Sequence, residues 1–320
     1  MHDDMLLHCL SHCLSHCLSH RIMLTVLING GLGNQLFQVF ATLAAAIRNG
    51  DTCYFIHTPR DASGKRATYW NSLFHALKPM TVLSTQANVQ RFIQLPTHQE
   101  ISFRYHPIPG KTAMNSAPLK LVGYFQSPQY FADVRDAIYE KLQLLDQQRS
   151  IRAAFAESTW FSCEAVTVAV HFRIGDYAAI QEAHPILTLD YYRQALKYVV
   201  DHNNNNNNNN SSNNKINVLI FNQACDSAIV LDHMRQLKTD PAFAARCRFH
   251  KVPDMFEDWK QMLLMSVCDH NIIANSTFSW WSAYLNQNPG KIVCYPGTWF
   301  GPALKKHDTR DLFPKEWIKV

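Results

Sequence analysis

Short apolar runs alternate along this chain with longer segments in which apolar residues recur every three or four positions. Such runs are typical of strands buried on both faces, and the longer period is typical of helices that pack against them. The pattern predicts strands over 23–29, 51–56, 119–124, 166–170, 216–221, 271–274 and 292–295. It predicts helices over 36–48, 131–145, 189–200, 255–266 and 275–285. This alternation indicates an α/β fold.

The alternation occurs in both halves of the chain and predicts two domains. A length of 320 residues, of which 47% are hydrophobic, is sufficient for two separate cores. We place the domains at 23–155 and 156–320, with a leader at 1–22 that we expect to be disordered. The asparagine-rich stretch at 203–214 cannot bury apolar surface, so we expect a disordered insertion in the second domain.

The leader repeats a four-residue unit. Its histidines and cysteines each recur at every fourth position: His8, His12, His16, His20, Cys9, Cys13 and Cys17. On a helix they would form adjoining stripes that could bind zinc. Repetition residue by residue is more typical of an expanded coding repeat, and Met23 would be a sensible alternative start. The leader lacks the ~20 apolar residues of a membrane span and carries Asp3 and Asp4 where a signal peptide is basic.

Charge and cysteine content restrict the setting of the protein. The net charge of +5 is spread along the chain, which indicates no nucleic-acid or membrane-surface patch and only a bias toward an anionic ligand. Outside the leader the cysteines are mostly single residues in apolar stretches, which indicates a reducing compartment and no disulfide framework. We therefore expect a cytoplasmic protein, and peripheral association with a membrane is left open.

Polar side chains follow the strand predicted at 166–170. His171, Arg173 and Asp176 come directly after it. In open α/β sheets, ligands bind beyond the carboxyl ends of the strands, and a guanidinium group matches phosphate oxygens two at a time. The alternative is that Arg173 and Asp176 only pair with each other across the turn.

A glycine-rich turn separates the first strand from the first helix. It contains Gly30, Gly31 and Gly33, followed by Asn34 and Gln35. Glycine allows the backbone to approach a ligand closely, and a helix N-terminus presents free amides to an anion. The spacing differs from the dinucleotide fingerprint G-x-G-x-x-G, which disfavours a nicotinamide or flavin site.

A cluster of hydroxyl groups opens the helix predicted from residue 275. Ser276, Thr277 and Ser279 follow the strand at 271–274. These hydroxyl groups could cap the helix. Together with the free amides of the helix start, they could instead form an anion pocket.

Three blocks, 30–38, 171–177 and 275–281, resemble the diagnostic blocks of the alpha-1,2-fucosyltransferase family and occur in the same order. The likeness extends from Met23 to the closing segments at 292–296 and 311–317. The resemblance implies two Rossmann-like domains facing a cleft, the type B glycosyltransferase architecture. It also implies transfer of L-fucose from GDP-L-fucose, with inversion, to the 2-OH of a terminal galactose, without a metal or other cofactor. The acceptor would be a galactose-terminated glycan, and we expect its contacts within 57–120.

The resemblance also assigns roles to the block at 171–177. Arg173 would contact the diphosphate and neutralise charge as GDP departs. His171 would orient the loop or touch the donor. Asp176 would either fix Arg173 or act as the general base that accepts the acceptor hydroxyl proton.

The remaining roles follow from similarity to fucosyltransferases that act on proteins. Asn34 would reach the donor from the first domain, in a turn that also supplies contacts from Gly31, Gly33 and Gln35. The other expected donor contacts are Asn275, Ser276, Thr277 and Phe278. One segment departs from the family: 222–226 stands where many relatives have Ser-Asp-Asp, so Asp226 is only a stand-in for a contact to the base.

Two further hypotheses remain at this stage. The protein could be a fucosyltransferase with a different acceptor, such as a cytoplasmic glycoprotein. It could also be a non-catalytic module that binds a sugar nucleotide or a glycan. The presence of Arg173 and the Ser276–Thr277 block argues against the second hypothesis. The chain contains no Asp-x-Asp pair, in keeping with the implied independence from metal.

Overall fold

The computed structural model describes residues 23–110, 118–156, 158–161, 165–203 and 215–320. The leader, and the asparagine stretch beyond Asn203, lie outside these ranges. The chain divides into two compact units. The first runs to Gly30 and resumes from Gln35 to Leu142, and the second comprises Gly31–Asn34 and Gln143–Val320.

The described elements alternate between strands and helices, as the apolar pattern predicts. The strands are β1 Met23–Val26, β2 Thr52–Cys53, β3 Phe55–His57, β4 Thr81–Leu83, β5 Thr97–Gln99, β6 Leu119–Val122, β7 Val166–His171, β8 Ile216–Phe221, β9 Cys247–Lys251, β10 His270–Ile272, β11 Val293–Tyr295 and β12 Ile318–Lys319. The α-helices are α1 Leu32–Asn49, α2 Gln86–Gln94, α3 Arg135–Lys141, α4 Leu144–Ala154, α5 Leu189–Asn203, α6 Ser227–Thr239, α7 Asp258–Ser266 and α8 Thr277–Leu285.

The first unit contains a parallel sheet in the order β2-β1-β6-β5 and a separate parallel pair, β3-β4. The single strand predicted at 51–56 is wrong, because the chain changes sheets within it. The amide of Tyr54 still donates to the Leu24 carbonyl at 3.0 Å. Phe55 then pairs with Thr81 of β4.

Helix α1 begins at Leu32, four residues before the predicted start. Leu32 is buried and anchors the first helical turn, so two residues of the glycine-rich turn, Gly33 and Asn34, are already helical. The amides at this helix start therefore belong to the glycine-rich turn itself.

The second unit contains a six-stranded parallel sheet in the order β12-β11-β10-β7-β8-β9. Counted from β7, this is the 3-2-1-4-5-6 order of a doubly wound fold, and the direction of winding reverses between β7 and β10. Residues Val168–Val170 of β7 and all of β8 are buried, as expected for strands covered on both faces. The predicted α/β class with two Rossmann-like parallel sheets is confirmed.

The first residue of the asparagine stretch is part of the fold, contrary to the predicted insertion at 203–214. Asn203 ends helix α5 and is 7% exposed. Its Oδ1 lies 3.1 Å from Nε2 of His270 on β10. Asn203 therefore joins a helix to the central sheet through a buried hydrogen bond.

The helix predicted over 131–145 is interrupted. Gln143 has a φ of +51°, in the left-handed region, and separates α3 from α4. The break changes the direction in which the apolar face of the second helix points. Leu145, expected on the buried face, is therefore 50% exposed. A single apolar period cannot reveal such a break, because both segments keep helical spacing.

The left-handed conformation of Gln143 gives a prediction about stability. A non-glycine residue in this region costs ~1–2 kcal/mol, whereas glycine adopts it freely and loses ~0.5–1 kcal/mol more entropy on folding. Gln143→Gly should therefore raise the free energy of unfolding by about 0.5–1 kcal/mol, measured from urea unfolding curves. Ser150→Gly, at an exposed position inside α4, is the matched control and should lower it by about 0.5 kcal/mol. Equal losses in both variants would contradict the assignment.

Candidate active site

Two loops meet where the strand order of the second unit reverses. One follows β7 and carries His171, Arg173 and Asp176, and the other follows β10 and leads into α8. The hydroxyl of Tyr177 in the first loop donates to the carbonyl of Asn275 in the second at 3.0 Å. The two blocks that the sequence singles out in this unit are therefore in contact.

Arg173 is held by two neighbours. Its Nη2 donates to Oδ1 of Asp176 at 2.6 Å, and its Cζ lies 5.0 Å from the ring centroid of Tyr177. The side chain is 16% exposed, and its Nε is buried without a hydrogen-bond partner. The pairing of Arg173 with Asp176 that the sequence left open is present. Whether Asp176 also serves as a base stays a prediction.

Asp226 supports the Arg173 loop from the end of β8. Its two carboxylate oxygens accept from the amide of Gly175 at 2.9 and 3.0 Å, and it is 4% exposed. Gly175 has a φ of +25°, and a Cβ there would lie 2.1 Å from Oε1 of Gln223. The structure places Asp226 beneath the loop, and a contact between Asp226 and a bound base stays a prediction.

His171 is a buried, neutral imidazole. It is 4% exposed, and burial, assisted by the nearby charge of Arg173, lowers the pKa of His171 to about 3. Its Nδ1 has no hydrogen-bond partner, and its ring lies 5.3 Å from that of Phe278. At neutral pH this residue can offer a hydrogen bond but not a positive charge.

Helix α8 begins two residues after Asn275, whose carbonyl contacts the Arg173 loop. Ser276 occupies the N-cap position, but its side chain makes no capping hydrogen bond. The first amides of a helix have no partner within the helix, and they carry partial positive charge. Of the two alternatives for this block, the structure does not show the capping one.

The glycine-rich turn approaches α8 within the second unit. Thr277 donates through Oγ1 to Oδ1 of Asn34 at 3.0 Å. A Cβ at Gly33 would lie 2.4 Å from the carbonyl carbon of Thr277, whereas a Cβ at Gly31 would meet nothing within 4 Å. Gly33 is therefore required for this close approach, and Gly31 is not.

In the first unit, Asp61 and Gln35 fix the beginning of the same turn. Gly30 has a φ of +85°, and its amide donates to Oδ2 of Asp61 at 2.8 Å. Gln35 is fully buried and donates from Nε2 to the carbonyls of Gly30 and Ala67 at 2.9 and 2.7 Å. The structure thus places Gln35 as a support of the turn, and its contact with a substrate stays a prediction.

Asp61 was not anticipated from the sequence. Burial would raise the pKa of its carboxyl, but hydrogen bonds from backbone amides, including those of Arg66 and Gly30, and from the hydroxyl of Ser63 outweigh burial and hold the pKa below its usual range. The turn composition Asp-Ala-Ser-Gly at 61–64 is the one signal that could have indicated such a capping carboxylate.

Glu100 fixes the loop that follows β6 in the first unit. Its carboxylate accepts from the amides of Tyr124 and Phe125 at 2.7 and 2.9 Å. Phe125 has a φ of +55°, so this carboxylate stabilises a backbone conformation that phenylalanine seldom adopts. Burial raises the pKa of Glu100 although both amides oppose the shift.

The described ranges contain no group of three or more His, Cys, Asp or Glu that could hold a metal ion. The His/Cys repeat of the leader lies outside them. Independence from metal stays a prediction. Among the described helices, none has the length and apolar character that a bilayer span needs.

Comparison with known proteins gives one family match and two full-length relatives. The family model described as glycosyl transferase family 11 matches residues 8–320. The O-antigen biosynthesis glycosyltransferase WbnK of Escherichia coli is 29% identical over 92% of this chain and 99% of the relative. The alpha-1,2-colitosyltransferase of Escherichia coli is 24% identical over 91% of this chain and 96% of the relative.

Solved structures of similar proteins include two fucosyltransferases. A mutant of Arabidopsis thaliana FUT1 in complex with GDP has a TM-score of 0.46 and 11% identity, covering 86% of this chain and 70% of the other. The fucosyltransferase NodZ from Bradyrhizobium, co-crystallized with GDP, has a TM-score of 0.45 and 14% identity, covering 83% and 93%.

The approach of Gly33 to Thr277 gives a second prediction. Gly33→Ala places a methyl group 2.4 Å from the carbonyl carbon of Thr277. Overpacking of this kind costs ~1–3 kcal/mol. The variant should unfold at a lower temperature and exchange the amides of residues 276–280 faster, measured by calorimetry and hydrogen exchange. Gly31→Ala should leave both readouts unchanged. An unchanged Gly33→Ala protein would show that the approach is not tight.

The buried imidazole gives a third prediction. Because the pKa of His171 falls from 6.5 in the unfolded chain to about 3 in the fold, the unfolded chain binds the extra proton between these values. Stability is therefore lost as the pH falls through this window, by about 1.4 kcal/mol per pH unit.

The measurement compares the wild type with His171→Phe by urea unfolding at about pH 7.5 and about pH 5. The wild type should lose about 2 kcal/mol more than the variant between these conditions. Other histidines are present in both proteins, so their contributions cancel. Equal losses would mean that His171 is not buried in its neutral form.

Proposed function

The chain belongs to glycosyl transferase family 11, and from this premise we propose that it transfers L-fucose from GDP-L-fucose, with inversion, to the 2-OH of a terminal galactose. The proposal needs a site for a diphosphate that carries growing negative charge. It also needs a hydroxyl acceptor on the opposite side of the sugar. The first requirement is the one for which the geometry gives direct support.

The observation that carries the proposal is the convergence of Arg173 with the start of α8. The guanidinium group, the amides of the first helical turn and the hydroxyl groups of Ser276 and Thr277 belong to two adjacent loops at the reversal of strand order. In doubly wound sheets, nucleotides bind beside this reversal, with phosphate at a helix N-terminus. No other pair of neighbouring strands in this sheet lies at a reversal of strand order.

The reaction makes one bond to the anomeric carbon and breaks another. The galactose 2-oxygen attacks that carbon from the face opposite GDP, and the bond to the β-phosphate oxygen breaks with its electron pair passing to GDP. Arg173 and the helix amides neutralise the charge that develops on the diphosphate, an interaction that strengthens toward the transition state. The acceptor proton passes to a base or to solvent.

The other residues of the Arg173 loop have restricted parts in this scheme. His171 is neutral, so it can donate or accept a hydrogen bond to the donor but cannot neutralise phosphate charge. Asp176 is 45% exposed and paired with Arg173. This pairing supports a role for Asp176 in fixing the guanidinium group. To act as a base, Asp176 would have to leave the pair.

The surface of the first unit supports association with an anionic surface. Between residues 52 and 110 the chain has six basic side chains: Arg60, Lys65, Arg66, Lys78, Arg91 and Arg104. Its two acidic residues there, Asp61 and Glu100, accept hydrogen bonds from backbone amides. This segment also exposes large aliphatic side chains, Leu83 by 69% and Ile101 by 74%. Basic and aliphatic groups together favour peripheral association with an anionic lipid surface.

A second donor is favoured by one relative. The alpha-1,2-colitosyltransferase has a name that gives the same linkage but a different sugar. Colitose is L-fucose without its 3-hydroxyl group, so the two donors would share the diphosphate contacts and differ at one position of the sugar. The acceptor could correspondingly be an O-antigen unit, as the name of the WbnK relative suggests, instead of a cytoplasmic glycoprotein.

Turnover of the purified protein tests these alternatives. GDP-fucose and GDP-colitose should be supplied in the presence of EDTA with galactose-terminated acceptors, and UDP-galactose serves as the control donor. We expect GDP release with GDP-fucose, dependent on a galactoside and insensitive to EDTA. Release with GDP-colitose alone would favour the second donor. Binding of GDP without turnover would indicate a non-catalytic module.

Arg173 gives the fourth prediction. Arg173→Ala should lower kcat by about 30- to 1000-fold, which corresponds to ~2–4 kcal/mol of lost transition-state stabilisation. Arg193→Ala, which removes another carboxylate-paired arginine from the same unit, is the control and should keep near-normal kcat. Near-normal turnover by Arg173→Ala would remove the central residue of the proposed mechanism.

A further inference from the structure

Tyr177 contacts Arg173 and both loops of the candidate site, yet it belongs to none of the roles assigned above. It lies in the short 3-10 turn Gly175–Ala179 and is 9% exposed. Its ring faces the guanidinium group of Arg173 at 5.0 Å, and its hydroxyl donates to the carbonyl of Asn275 at 3.0 Å. One side chain therefore joins the proposed anion-binding arginine to the loop that opens α8.

The guanidinium group needs a support on its Nε side. Nη2 is fixed by Asp176, but Nε is buried and has no hydrogen-bond partner. A planar guanidinium group held by one carboxylate can still rotate about that contact. Stacking on an aromatic face removes this freedom and is itself favourable.

The hydroxyl of Tyr177 supplies the second constraint. Burial raises the pKa of Tyr177, so the phenol is a protonated donor at neutral pH. Its acceptor is fixed in turn, because Nδ2 of the Asn275 side chain donates to the carbonyls of Pro185 and Trp299 at 2.9 and 3.3 Å. Because its side chain is bound to two other backbone segments, Asn275 cannot follow Tyr177 if the Arg173 loop moves.

We propose that Tyr177 is the positioning residue that holds Arg173 at a fixed place relative to the start of α8. Its ring contacts the guanidinium group, and its hydroxyl contacts the loop that opens α8. This inference rests on the proposed function, since it assumes that Arg173 acts on the donor diphosphate. Phenylalanine would fill the same volume in the core. The ring contact with Arg173 and the hydroxyl contact with Asn275 are what distinguish a positioning role from packing.

The variants separate the two contacts. Tyr177→Phe keeps the ring and removes the hydroxyl, and kcat with GDP-fucose should fall about fivefold, the usual effect of one neutral hydrogen bond. Tyr177→Leu removes both contacts, and kcat should fall roughly five- to thirtyfold further. If Arg173 acts mainly as GDP departs, KM for the donor should change less than kcat.

A double-mutant cycle provides the readout that a purely structural role would not change. GDP affinity is measured by calorimetry for the wild type, Tyr177→Leu, Arg173→Ala and the double variant. The loss caused by Tyr177→Leu should disappear when Arg173 is already alanine. Tyr198→Leu, which removes a half-buried ring stacked on His202 in the same unit, is the control for lost packing and should leave GDP affinity unchanged in both backgrounds.

The outcomes separate this inference from the proposed function. Equal losses from Tyr177→Leu in both backgrounds, with Arg173→Ala impaired, would overturn positioning by Tyr177 and leave the function intact. Normal GDP binding and turnover by Arg173→Ala would overturn both. Unfolding curves for every variant show which affinities come from folded protein.

Discussion

The reversal of strand order between β7 and β10 is the constraint on which the candidate site depends. On either side of this point the crossover connections run in opposite directions, so no crossover helix covers the carboxyl ends of the two strands. The sequence places two blocks of polar side chains at these two loops. The candidate site therefore lies where the fold leaves the carboxyl edge of the sheet open. The side chains of the two loops must in addition be held in place.

The loops are held by groups that lie far away in the sequence. Gly175 relies on Asp226 after β8, Asn275 relies on the carbonyls of Pro185 and Trp299, and α8 is fixed by tryptophans buried on its other sides. Trp280 donates from Nε1 to the Leu312 carbonyl at 3.0 Å. Because these partners come from different connections, the orientation of Arg173 depends on the whole second unit being folded.

Much of this arrangement could be predicted from the sequence, because buried parallel strands leave continuous apolar runs and loops with function leave polar blocks beside them. The runs at 166–170 and 216–221 are strands, and the blocks at 171–177 and 275–281 meet as expected. The failures have physical causes. The break at Gln143 depends on one backbone angle, the change of sheets after Tyr54 depends on pairing with β4, and Asn203 is ordered through a hydrogen bond to His270. None of these leaves a local signal.

The two units use the same device for their first loop, although their sequences there have little in common. Gly30 and Gly175 both have positive φ, and the amide of each donates to an aspartate from a later loop, Asp61 at 2.8 Å and Asp226 at 2.9 Å. A glycine in that conformation turns its amide away from the sheet ladder, so a buried acceptor must satisfy it. A carboxylate does this more strongly than a neutral group, and its charge costs little when several donors face it. The supporting contacts of Asp61 and Asp226 are thus a consequence of the turn geometry.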